Sequence, residues 1–375
     1  MLTRVVVRNF ASLRNVEVGL GRINVLVGAN ASGKSNFVRA LCFLRELIVN
    51  ASLEEATRSI GYSKPVETVF NQDPKLDVTI RVEAVIDGEL YRYEIKALPG
   101  HNSVFSERLT AKDSVLLQSV VGAGGFFLSS DNAKEQVPAP PSILRWVVEK
   151  ADCHPLIRKF YEYVSKWSFY SFNPEAIRSY ASVESSTKLD REGRNLPQVL
   201  HTLLTTNRRV FETIESQIRS CVPEIEEIVL PVVSGPRVYI AVREKGFEKP
   251  FSFQQISDGT LRLLAFITAL SLEPTLVAFE EPENCVHPYL LETLVDLARK
   301  SGRQVIISTH SPYLLDHVKP EEVLLVSKTR GETRIKKLTD TREIDAVKKF
   351  LENGGTLGEA WYSGVMQHEE DTSAS

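Results

Sequence analysis

The stretch Leu26–Phe37, LVGANASGKSNF, constrains the fold more than any other part of the chain. GANASGKS fits G-x-x-x-x-G-K-[ST], with Gly28, Gly33, Lys34 and Ser35 at the fixed positions. Glycines let the backbone of Gly28, Ala29, Asn30, Ala31, Ser32 and Gly33 curl so that successive N–H groups face phosphate oxygens. A helix beginning near Lys34 adds its positive end, and Lys34 supplies a mobile cation for the β- and γ-phosphates. Ser35 offers a hydroxyl to Mg2+, so the expected nucleotide contacts run from Gly28 to Asn36. The alternative is an ordinary glycine turn, and the flanks decide against it. RINVLVG is an apolar run without clean alternation, suited to a buried strand. NFVRALCFLRELIVN places Phe37, Ala40, Leu41, Leu44 and Leu47 at helical spacing. Strand, glycine loop and helix in that order predict an α/β nucleotide-binding domain.

Two short strands, RVVVRNF and RNVEVGL, precede the loop strand. Between Leu76 and Leu98 the residues alternate around Asp87-Gly88, which predicts an antiparallel hairpin followed by further strands through Phe127. SSDNAKEQVPAPP reads as an exposed connection, leading to helices between Ser142 and Lys166. A short strand, WSFYSF, ends at NPEAIR; the region from Asn173 to about Glu227 reads as mostly helical, and RVYIAVREKGFEKPFSF returns to a hairpin. No internal repeat and no coiled-coil heptad run is present in the sequence.

A nucleotide site of this type needs a carboxylate at the end of a neighbouring strand. TLVAFEEPENCVHP supplies one, because the run Leu276–Phe279 ends in Glu280 and Glu281. Glu280 is expected to anchor Mg2+ through water, and Glu281 to orient or deprotonate the water attacking the γ-phosphate. In QVIISTHSPYLLD the apolar strand Val305–Ile307 ends in Ser308, Thr309 and His310. A histidine at the carboxyl end of such a strand faces a ligand crevice, so His310 is expected to bond the γ-phosphate or the attacking water. In QQISDGTLRLLAFITALS, Ser257, Asp258 and Gly259 begin a long helix. That is either a Ser/Asp helix cap or a second anion reader that completes the site of another copy.

These four segments together resemble the SMC/RecF branch of the ABC-type ATPases, which includes OLD-like and related AAA-labelled ATPases. RNFASLRNVEVGLGRINVLVGANASGKSNF is similar to the family's opening, SDGTLRLLAF to its signature helix, FEEPENCVHP to its Walker B and D-loop, and STHSP to its switch histidine. REGRNLPQVLHTL and GGTLGEAWYSG are similar to stretches of its stand-alone members. The resemblance implies a P-loop NTPase of ABC-ATPase type, a mixed sheet with an antiparallel β subdomain and a helical lobe. It implies a first ATPase part over residues 1–172, a mostly helical lobe over 173–256 and a second ATPase part over 257–375. It further implies an ATP-dependent head-to-tail homodimer enclosing two ATP molecules, each bound by Lys34 and Ser35 of one copy and by Ser257 and Gly259 of the other. In that arrangement Glu281 is the catalytic carboxylate and His310 the switch. The chain departs from the pattern in three places: Glu280 stands where Asp is commoner, the signature reads Ser-Asp-Gly-Thr, and no glutamine occupies the Q-loop position, Asn173 being the nearest polar residue. With residues 311–375 after His310, neither the acidic-cluster nuclease domain of OLD-like relatives nor the long arms of SMC-type members is expected.

Composition narrows the partners less. A chain of 375 residues with 43% hydrophobic and 25% charged residues has the balance of a soluble globular protein. Its net charge of −3 argues against a polycation that coats nucleic acid, although a neutral total can conceal a basic face. Arg208, Arg209, Lys336 and Lys337 are such basic groups, and read equally well as solvated surface. Cys42, Cys153, Cys221 and Cys285 form no C-x-x-C pair, and Arg4 and Arg8 interrupt the N-terminal valines, so reduced thiols in a cytoplasm and no secretory leader are expected. Cys285 and His287 lack a second ligand pair and read as structural. Arg262, Glu273 and Pro274 interrupt the most apolar region, so no membrane segment is expected. Two functions follow from the resemblance: an ATP hydrolase acting on DNA in repair, genome maintenance or anti-phage defence, or a regulatory ATPase controlling a separately encoded nuclease or toxin without binding nucleic acid. A transporter ATPase subunit fits the folding pattern but not the SDGT signature or the N-terminal strand order.

Overall fold

The computed structural model describes residues 1–121, 123–137, 142–150 and 152–366. The chain is α/β, and its contacts group into two compact units. One is built from Met1–Ser168 and Pro320–Lys348 with Met366, the other from Phe169–Lys319 and Lys349–Val365.

In the first unit, eight strands among the described residues form an antiparallel sheet in the order Leu13–Gly19, Leu2–Phe10, Val78–Ile86, Glu89–Leu98, Ser103–Ala111, Ser114–Val120, Gly124–Leu128, Lys134–Val137. The pattern that built it is alternation: Tyr91, Tyr93, Ile95 and Ala97 are buried along one strand while the residues between them are more exposed. Asp87 and Gly88 both take positive φ, 49° and 82°, as a two-residue hairpin turn requires. Phe160, on the helix Pro155–Ser165, packs on Tyr91 and Tyr93 with ring centroids 5.9 and 5.2 Å away. The segment read as a connection, SSDNAKEQVPAPP, contributes the edge strand Lys134–Val137 because it continues the hairpin from Gly124–Leu128; its residues 138–141 lie outside the described residues.

The loop strand Ile23–Val27 is buried at all five positions. It runs parallel to Val323–Thr329, with Val25 opposite Val323 and Val27 opposite Leu325. Val323–Thr329 pairs antiparallel with Glu332–Lys337. The helix Lys34–Asn50 leaves the loop and buries Phe37, Leu41, Leu44 and Leu47, as the spacing predicts. Phe43 of that helix meets Phe10 with centroids 5.4 Å apart.

In the second unit the strand Leu276–Glu280 runs parallel to Gln304–Thr309, pairing Leu276 with Gln304 and Glu280 with Ser308. Phe266, on the helix Asp258–Ser271, lies 4.3 Å from Phe279 between ring centroids, and Tyr170 and Phe172 extend the same cluster. Fully burying side chains of this kind contributes about 1.5–3 kcal/mol each, which fixes this helix against the strand that carries the carboxylates. The region expected to be mostly helical departs from that expectation. After the short helix Pro174–Ile177 the chain is irregular up to Asn195, apart from the short strand Ala181–Ser182, and helices resume at Leu196–Thr206 and Arg208–Cys221. Serine, asparagine, aspartate and glycine through residues 179–195 bond locally to their own backbone and compete with helix. Ala241–Glu244 and Phe251–Ser252 form the expected hairpin, whereas Arg237–Val238 pairs with Ala181–Ser182 instead. A helix absent from the sequence reading, Leu357–Tyr362, is set by a capping box of Thr356 and Glu359. Among the described residues no helix is long and apolar enough to cross a membrane.

Candidate functional site

The glycine loop is shaped by contacts that only glycine permits. A Cβ on Gly28 would stand 2.2 Å from the Val326 carbonyl oxygen. One on Gly33, whose φ is +107°, would stand 2.0 Å from Thr333 Oγ1. Ala31 also takes a left-handed conformation, φ 62°. Ala29, Asn30 and Ala31 are exposed, Ser35 is half-buried, and Lys34 is 6% exposed. Lys34 Nζ donates to the Gly28 and Ala29 carbonyl oxygens at 2.7 and 2.9 Å, which holds the ammonium at the mouth of the loop.

Behind the loop runs a relay of hydroxyls. Asn36 Nδ2 donates to Ser12 Oγ at 2.8 Å, Ser12 Oγ lies 2.7 Å from Thr333 Oγ1, and Thr333 Oγ1 donates to the Ser32 carbonyl at 2.8 Å. Asn36, expected among the nucleotide contacts, therefore commits its side chain to bracing the loop. Ser32 is different: its Oγ is buried and has no hydrogen-bond partner. An orphaned hydroxyl inside a glycine cradle, with a buried ammonium and a helix N-terminus, fits a phosphate group. Lys34, Ser35 and the loop N–H groups are the residues that would hold it.

The carboxylates stand in the second unit. Glu281 follows the strand Leu276–Glu280 in a left-handed conformation, φ 47°, with its N–H donating to the Ser308 carbonyl at 2.9 Å. A non-glycine residue held there stores strain of a kind that clusters at functional sites. Both of its carboxylate oxygens are oriented: Oε1 lies 3.1 Å from His310 Nδ1, and Asn284 Nδ2 donates to Oε2 at 2.8 Å. Glu281 and His310 remain 36% and 45% exposed, so the pair is open to a ligand. Glu280 is more buried and accepts from Arg191 Nη2 at 2.8 Å. Glu283 accepts from Thr309 Oγ1, while its other oxygen is buried without a partner. Burial pushes the Glu283 carboxyl above the usual carboxylate range, against the Thr309 bond that pulls it down.

Ser257 is exposed and caps the helix Asp258–Ser271, its Oγ accepting from Thr260 N at 3.2 Å. Gly259 packs so closely that a Cβ would stand 2.5 Å from the Cys285 carbonyl oxygen. The first turn of the signature helix is thereby set against the loop that follows Glu281. Arg178 secures the same turn, donating to the Ile256 carbonyl at 2.8 Å and to Asp258 Oδ1 at 2.5 Å. Sequence reading missed Arg178, Arg191, Asn284, Ser12 and Thr333. Ser12, Arg178, Arg191 and Asn284 lie within RNFASLRNVEVGL, NPEAIR, REGRNLPQVLHTL and FEEPENCVHP, but local spacing does not say which distant group each side chain meets.

The comparisons with known proteins agree on the fold. An SMC head bound to the C-winged helix domain of ScpA superposes with a TM-score of 0.59 at 13% identity, covering 89% of this chain and 97% of that one. An Smc head domain with an extended coiled coil, bound to the C-terminal domain of ScpA and derived from Pyrococcus furiosus, gives a TM-score of 0.55 at 11% identity, covering 94% and 98%. Uncharacterized ABC transporter ATP-binding proteins of Mycobacterium tuberculosis, strains H37Rv and CDC 1551, are 32% identical over 85 residues. That match covers 22% of this chain, which spans about a third of their length, 32%. The family model described as "AAA domain, putative AbiEii toxin, Type IV TA system" matches residues 23–121 and 125–316, most of the chain and all four motif segments, and the chain belongs to that family of AAA/ABC-type ATPase domains.

Proposed function

We propose that the chain hydrolyses ATP to ADP and phosphate, and that two copies close head-to-tail around two Mg-ATP molecules. The observation that carries this reading is Glu281, a carboxylate in a left-handed backbone position with both oxygens oriented, by His310 and by Asn284. A group so held is preorganised to take a proton from water rather than to serve packing. On this reading Lys34 neutralises the phosphates and the loop from Gly28 to Gly33 cradles them. Ser35 and Glu280 are the side chains toward Mg2+, which when bound offsets charge on the phosphate oxygens. Glu281 orients and deprotonates the attacking water, His310 reports the γ-phosphate, and Ser257 and Gly259 belong to the site of the other copy. The exposure of Ser257 at a helix N-terminus supports that last assignment.

The DNA half of the proposal, with a role in repair, genome maintenance or anti-phage defence, rests on the resemblance to the SMC/RecF branch. A second reading is favoured by the family description, which names a toxin and a Type IV TA system: a regulatory ATPase controlling a separately encoded effector. We place the protein in the cytoplasm, a reading supported by its free cysteines, three buried and one exposed. Salt-dependent DNA binding with and without ATP separates the two functions. Affinity that rises with ATP and falls with salt supports action on DNA. No binding at low salt, with co-purification of a neighbouring gene's product, supports the effector switch.

A further inference from the structure

The loop carrying Arg191 is built to deliver one guanidinium to Glu280. Ser171 N donates to the Arg191 carbonyl at 2.8 Å and Asn173 N to the Glu192 carbonyl at 3.0 Å. Asp190 N donates to Asn195 Oδ1 at 2.8 Å, and Arg194 N to Asp190 Oδ1 at 2.9 Å. Gly193 turns the loop at φ +80°, where a Cβ would press to 3.0 Å from Ile177 Cγ1 and 3.1 Å from Phe172 Cδ1. The loop backbone is thus pinned to Ser171 and Asn173, the latter being the polar residue nearest the Q-loop position.

From this loop Arg191 Nη2 reaches Glu280 Oε1 at 2.8 Å. Glu280 is 14% exposed, whereas Arg191 retains 32%. Acids crowd this strand end, with Glu281 and Glu283 following, and each is managed separately: Glu281 by His310 and Asn284, Glu283 by Thr309, Glu280 by Arg191. A nearly buried carboxylate needs a cation, but two cations on one carboxylate repel each other.

We propose that Arg191 is a positioning residue and that it and a divalent cation are alternative partners of Glu280, so that Arg191 sets the metal concentration at which nucleotide is held. The inference rests on the reading of Glu280 as the metal-facing carboxylate. Its partial exposure gives the guanidinium a route off Glu280 to solvent, while the braced loop keeps it within reach to return.

The test uses the full chain as wild type, Arg191→Gln and Arg191→Lys, with a fluorescent ATP analogue titrated with Mn2+ and a reference titration in EDTA. Arg191→Gln should lower the half-saturating Mn2+ about three- to tenfold, with binding in EDTA unchanged. Arg191→Lys should lower it by a smaller factor, because a hydrated ammonium holds a carboxylate less well than a planar fork; it stands in if the glutamine variant does not fold. In a Glu280→Gln background the Arg191 change should no longer shift the Mn2+ requirement. An unchanged or raised requirement, while wild type binds the analogue with metal, overturns the competition alone. A wild type that binds no analogue, or binds it equally after Lys34→Ala, overturns the underlying reading together with the inference.

Discussion

Glu281 Oε1 and His310 Nδ1 stand 3.1 Å apart, so that a carboxylate and an imidazole from the ends of two adjacent parallel strands form one unit. Replacing Glu281 by Gln keeps the volume and the bond to its neighbours but removes the proton acceptor. ATP binding should persist while turnover falls about a hundred- to ten-thousand-fold. The variant should then accumulate as an ATP-bound dimer. Light scattering should show a doubling of mass with ATP and none with ADP; a monomer under both conditions counts against the head-to-tail sandwich.

Lys34→Ala removes the ammonium that bonds the Gly28 and Ala29 carbonyls. Fluorescent ATP binding should be abolished, since only the loop backbone and Mg2+ remain to face the triphosphate. Loss of the donor should also cost about 1–3 kcal/mol of stability, measurable by urea unfolding. Undiminished nucleotide affinity would falsify the assignment of the loop.

Ser257 distinguishes a composite site from a helix cap. If it only accepts from Thr260 N, Ser257→Arg costs on the order of 1 kcal/mol and leaves hydrolysis in the folded fraction nearly intact. If it reads the phosphate held by a second copy, the same variant binds ATP but does not turn over. Mixing Ser257→Arg with Lys34→Ala should rebuild one intact site per heterodimer and restore partial activity. A double variant carrying both changes should rescue neither. Normal hydrolysis by Ser257→Arg alone returns the segment to a cap.

Glu283 predicts a pH dependence with a definite sign. Its carboxyl is held above its ordinary value by burial, so the folded state binds the proton more tightly than the unfolded one. This contribution to stability is fully present below the unfolded value and is lost as pH rises through the folded one. Unfolding in urea should therefore show a loss between the ordinary carboxylate range and the raised value that Glu283→Gln flattens. An equal pH slope in both proteins contradicts the neutral, buried form.

What the sequence by itself determined was everything carried by local spacing. The run RINVLVG and the apolar positions from Phe37 to Leu47 encode a buried strand and an amphipathic helix, because side-chain direction repeats with the period of the element. Asp87-Gly88 sets its hairpin just as locally, since both residues accept positive φ. The irregular stretch through residues 179–195 escaped that logic, because its serines, Asp190 and Asn195 bond to neighbours rather than follow a period. Only tertiary structure decided which distant groups meet. Ser12 and Thr333 bond across 321 residues, and Arg191 reaches Glu280 across 89. Neither pairing leaves a trace in local pattern, because a hydrogen bond between distant residues depends on the path of the intervening chain. The same holds for the left-handed turn that aims Glu281 at His310: the sequence supplied the carboxylate and the imidazole, and the register of two parallel strands brought them together.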